Sequence, residues 1–89
     1  MNVYNLNEVE ITDKSVQFKL TAKDDKFATL LCKAPWHIKS KHNNSFYLKR
    51  HDYYEVCKGV FCGSDFRTLT LSIDNDKVHL TDYSSQSIE

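Results

Sequence analysis

The feature that most constrains this chain is a pair of alternating runs joined by four polar residues. Leu69, Leu71 and Ile73 are spaced by Thr70 and Ser72; after Asp74-Asn75-Asp76-Lys77, Val78 and Leu80 are spaced by His79. A repeat of two puts the apolar side chains on one face of an extended strand and the polar ones on the other. Asn and Asp tolerate the left-handed backbone that a tight turn requires. The segment therefore predicts a β-hairpin buried on one side. A second alternation lies nearer the N-terminus, with Val9 and Ile11, a polar joint at Asp13-Lys14, then Val16, Phe18 and Leu20. It predicts another hairpin.

Between these units the pattern changes. Asp24-Asp25 precede Phe27, Leu30 and Leu31, which have the capping residue and i, i+3, i+4 spacing of a short helix over about 25–33. A run this short also fits a buried strand, and Pro35 ends either one. Residues 35–45 are polar and rich in turn formers, which predicts an exposed loop. Phe46, Tyr47 and Leu48 resume an extended pattern that 53–61 continues, with bends allowed at Gly59 and Gly63. The polar end, 84–89, predicts a flexible tail. Together these elements predict a mainly β domain over 1–83. Its form would be a small antiparallel sheet or partly closed barrel of five to six strands with one short helix, an α+β arrangement being the second choice.

The chain has 89 residues, enough for one domain, and at 40% hydrophobic it has the apolar content of a folded protein. No run approaches the ~20 apolar residues of a membrane span. The first eight residues lack a basic and an apolar segment, so no signal peptide and a cytoplasmic location are expected. Three cysteines are an odd number, which favours reduced thiols or metal ligands over a disulfide framework. Frequent Asn, Lys and Tyr with scarce Ala and Gly is the bias of AT-rich genomes, those of many bacteriophages included.

The formal net charge is zero, yet charge is unevenly spread. Residues 26–51 hold Lys26, Lys33, Lys39, Lys41, Lys49 and Arg50 with three histidines and no acid, while the flanking blocks are net acidic. Aromatics are mixed into this block. Phosphates attract Lys and Arg through counterion release, and unstacked bases attract aromatic faces. The expected function is therefore non-enzymatic binding of RNA or another single-stranded nucleic acid. Lys33, Lys39, Lys41, Lys49 and Arg50 would meet phosphates, and Trp36 and Tyr47 would stack on bases. The bland reading is that the lysines are solvated and the aromatics form the core. The same residues would also serve a protein interface, so the alternative is a small phage-type inhibitor or adaptor that docks on a host nuclease or defence complex.

Cys32 and His37, and likewise Cys57 and Cys62, are four residues apart in the sense x₄, and three thiolates with one imidazole suit a tetrahedral structural zinc. That spacing is looser than in strong zinc motifs, and Cys32 beside Leu30 and Leu31 equally suits a core position. No resident cofactor is expected. No Gly-rich phosphate loop, HExxH or paired-carboxylate motif is present, so no enzyme is expected either.

Overall fold

The computed structural model of the chain describes residues 2–21 and 25–88, the side chains at 56–57, 60–62 and 88 excepted. Among the described residues it contains seven strands: β1 (Val3–Asn5), β2 (Val9–Ile11), β3 (Ser15–Phe18), β4 (Trp36–His42), β5 (Ser45–Cys57), β6 (Val60–Asp74) and β7 (Lys77–Ile88). One helix, α1 (Lys26–Cys32), and a 3-10 turn (Leu6–Glu8) complete the elements. The strands form one antiparallel sheet in the order β1-β7-β6-β5-β4-β3-β2.

The two outermost strands of this sheet, β1 and β2, are neighbours in sequence, separated only by Leu6–Glu8. Three residues bridge roughly 10 Å, so the sheet must curl until its ends nearly meet. The result is a nearly closed barrel. The 3-10 turn stitches the seam from both sides: the Leu6 amide donates to the Asp76 carbonyl at 2.8 Å, and the Lys19 amide donates to the Glu8 carbonyl at 2.6 Å.

Both sequence-predicted hairpins form. Val9 pairs with Phe18 and Ile11 with Val16. Asp74 pairs with Lys77 across a two-residue turn in which Asn75 takes φ 57°. Their apolar faces point into the barrel, where Val16, Leu71 and Val78 are fully buried. The predicted helix forms too. The Asp25 carboxylate accepts from the Ala28 amide at 2.7 Å, capping it, while Asp24 lies outside the described residues. Ala28 and Leu31 are buried in the core, and the Phe27 ring meets Tyr83 edge-on at 5.1 Å, so α1 covers one mouth of the barrel.

Two segments differ from expectation. Residues 36–42 are strand β4 rather than loop, held between β3 and β5. β5 pairs with it out to His42 and β3 holds its start at Trp36 and His37, and this pairing outweighs the low β-propensity of Lys, Ser and His. Residues 84–88 are strand rather than tail: β7 runs on against β6 until Ser64 faces Ile88.

Beyond Lys49, β5 has no β4 neighbour, because that pairing begins at His37 opposite Lys49. From there β5, β6 and β7 leave the barrel as a three-stranded arm, which accounts for the long dimension of 45 Å against 28 and 22 Å.

Candidate nucleic-acid interface

Strand β5 sorts its side chains strictly by parity. Phe46, Leu48, Arg50 and Asp52 are buried, whereas Lys49, His51 and Tyr53 are exposed and Tyr47 is half-buried. The inward and outward sets do different work.

Facing inward, Arg50 is 3% exposed. Its Nε donates to the Asp52 carboxylate at 2.8 Å and its Nη2 to the second Asp52 oxygen at 3.0 Å. The same guanidinium donates to the Leu30 carbonyl at 2.8 Å and the Ala34 carbonyl at 3.1 Å. Leu30 is in the last turn of α1 and Ala34 lies two residues past its end, a place where a cation is electrostatically favoured. The guanidinium also lies over the Trp36 ring, 4.4 Å from its centroid, and Trp36 donates its own Nε1 proton to the Leu31 carbonyl at 3.2 Å. Trp36 is completely buried. Asp52 is shared with Arg67, whose Nε donates at 2.7 Å; Arg67 continues to Asp65 at 2.8 Å and to the Tyr83 hydroxyl at 2.8 Å. Burial pushes the Asp52 carboxyl up, but hydrogen bonds from Arg50 and Arg67 and the charges of Arg50 and Lys33 more than offset this and leave it below its ordinary value.

This network corrects two sequence expectations. Arg50 does not present itself to phosphates, and Trp36 does not offer a face to a base. Arg50 locks α1 against β5, and Trp36 ties β4 to the same helix. Parity was the available signal: Arg50 lies two residues past Leu48 and four past Phe46, on the core face.

The outward set is different. Tyr47, Lys49, His51 and Tyr53 share one face of β5, and the pairing places Thr70, Thr68, Phe66 and Ser64 of β6 opposite them in that order. From β4, His37 lies opposite Lys49, and the Lys39 ammonium sits 5.4 Å from the Tyr47 ring centroid. Between Tyr47 and Tyr53 no carboxylate lies on this face of β4, β5 or β6 among the described residues, Asp52 and Asp65 being paired with the arginines on the other side; acids border it, Asp82 of β7 opposite Thr70 and Glu55 two residues past Tyr53. Lys39 and Lys49 form no ion pair among the described residues. At the arm end the aromatics are ordered by contact. His51 lies 4.4 Å from Tyr53, tilted by 31°, and 5.9 Å edge-on from Phe66. His51 Nε2 is 2.8 Å from the Ser64 hydroxyl, and the Tyr53 hydroxyl is 3.2 Å from Nδ1.

Of the sequence-predicted residues, Lys39, Tyr47 and Lys49 therefore come together. Lys41 is exposed near the β4–β5 turn, its ammonium 5.1 Å from the Phe46 ring centroid. Lys33 caps the end of α1 beside a shallow cleft of about 460 Å³. The sequence placed His51 and Tyr53 in the same basic and aromatic stretch without assigning them contacts, and Phe66 was missed as a member of the face. The first two follow from the parity of Tyr47 and Lys49.

A serine hydroxyl 2.8 Å from an imidazole is also a nucleophile–base distance. Here Ser64 is 7% exposed in the middle of a strand paired on both sides, which commits the neighbouring amides to the ladder instead of to an oxyanion. The contact orients the imidazole.

For the zinc set, Cys32 packs against the core while His37 is exposed on β4. The side chains of Cys57 and Cys62 lie outside the described residues. Among the described residues no three candidate ligands cluster. No helix of the described residues is long and apolar enough to cross a membrane. Comparison with protein-family models, curated proteins and solved structures gives no match to this chain.

Proposed function

We propose that this protein binds single-stranded nucleic acid, RNA foremost, without catalysis, on the outward face of β4, β5 and β6. The observation that carries the reading is the face of β5 on which Tyr47, Lys49, His51 and Tyr53 follow one another with no acid between them, and with Lys39 and His37 beside them. Aromatic faces stack on bases of any sequence, and unpaired ammonium groups neutralise phosphates. Asp52 and Asp65 are paired with arginine on the opposite side of β5 and β6, and Lys39 and Lys49 have no ion-pair partner among the described residues.

The test is fluorescence anisotropy with labelled single-stranded RNA and DNA across a salt series. A protein neutralising two or three phosphates of a single strand should show log Kd changing with log salt at a slope of about 2. Changing Lys39 and Lys49 together to Glu should abolish binding and leave the melting temperature near that of the parent protein. Unchanged affinity in that folded variant would remove the proposal. Arg50 is left out of the set because its loss would disturb the fold.

A second reading, an inhibitor or adaptor that docks on a host protein, draws on the same arm. Tyr53 is 63% exposed, and beyond Lys49 β5 pairs on one side only among the described residues, an edge suited to adding a partner's strand. A protein complex of that kind would resist both nuclease and salt.

A further inference from the structure

Resting on that reading, we propose that the ligand lies along β5 as an extended single strand of about four nucleotides, with one base on Tyr53, another on Tyr47, and the intervening phosphates over Lys49. Tyr47 and Tyr53 are six residues apart on the same face of one strand, a distance of about 20 Å at ~3.4 Å per residue. A single stacked pair of bases cannot reach both rings. A duplex hides its base faces and can use neither.

The two rings are unequal. Tyr53 is the more exposed, and its hydroxyl is tied to His51, which is itself held by Ser64 and braced edge-on by Phe66. This ring is held in place before any ligand arrives. Tyr47 lies beneath the Lys39 ammonium, which a base must displace. The displaced ammonium is then available to the adjoining phosphate. Tyr53 is thus the stronger subsite and Tyr47 the one that rewards added length.

Oligouridylates of one to eight nucleotides, and an eight-base-pair duplex, separate the outcomes by anisotropy or competition. Affinity should climb to about four nucleotides and then level, and the duplex should compete poorly. Tyr53→Leu should weaken binding about tenfold at all lengths. Tyr47→Leu should leave the dinucleotide unaffected and erase the gain between two and four. A dinucleotide as tight as the octanucleotide, or a duplex that competes equally, overturns the two-base arrangement while the binding face stands. If no oligonucleotide binds at any length, the underlying reading falls and this inference with it. Both tyrosines face away from the core, and circular dichroism melting of each variant verifies that it is folded.

Discussion

Arg50 illustrates how strongly position governs the role of a single residue. By type it is the best phosphate ligand in the acid-free block; by parity it is a core residue. Its guanidinium donates to the Leu30 and Ala34 carbonyls and to a buried carboxylate, so truncating it removes a donor from each and leaves Asp52 with Arg67 alone of its two arginines. Arg50→Ala is expected to cost about 3 kcal/mol of stability, measured by urea unfolding, while Lys49→Ala next to it should cost under ~0.5 kcal/mol. Asp52 adds a pH dependence. Its carboxyl is held below the ordinary carboxylate value in the folded state. The stabilisation is therefore complete above about pH 4 and is lost as the pH falls through the folded-state value. Asp52→Asn should be less stable than the parent at pH 7, and the gap should narrow towards pH 2–3. A constant gap would mean that the ion network contributes no acid sensitivity. Charge and aromatic content were legible in the sequence for Lys39, Tyr47 and Lys49. The inward turn of Trp36 was not, because nothing in 35–45 announced a strand whose first residue would be covered by α1.

At the scale of elements, regular alternation decided what could be read. The hairpins at 9–18 and 69–80 keep their period of two in the apolar residues and were recoverable from it. In β4 the register shifts between Ile38 and Ser40, so the pattern is broken where it would have been recognised. The end of β7 carries Ser84, Ser85, Gln86 and Ser87, which are polar on both faces and so show no alternation of hydrophobicity. They are held by pairing and by side-chain contacts such as Ser87 to Asp65 at 2.9 Å and Thr68 to Ser84 at 2.6 Å. The arm has its own packing constraint. A methyl group on Gly63 would sit 2.3 Å from the ring of Tyr54, its cross-strand partner. Gly63→Ala is expected to destabilise by about 1–3 kcal/mol. Combining it with Tyr54→Ala should cost less than the sum of the two single changes, a non-additivity that denaturant titration of the four proteins would measure.

For the molecule as a whole, closure depends on contacts far apart in sequence. Asn5 pairs with Lys77, and Leu80 donates its amide to the Asn2 carbonyl at 2.9 Å. Such pairings pay loop-closure entropy before they return any stabilisation, so folding in milliseconds to seconds is expected in stopped-flow refolding, slower than for a helical bundle of this size. Microsecond refolding would place the rate-limiting contacts within the local hairpins. The pairing of β7 also sets where each end of the chain emerges. Val3 lies opposite His79, which faces Ser72, whereas Ile88 lies opposite Ser64, the neighbour of Tyr53. Along β6 those places are about 27 Å apart at ~3.4 Å per residue. An affinity tag or fluorophore fused at the C-terminus would crowd the aromatic end of the arm and report binding poorly. The same fusion ahead of Val3 sits at the far end of the barrel, which makes it the handle for immobilising this protein without masking the proposed binding face.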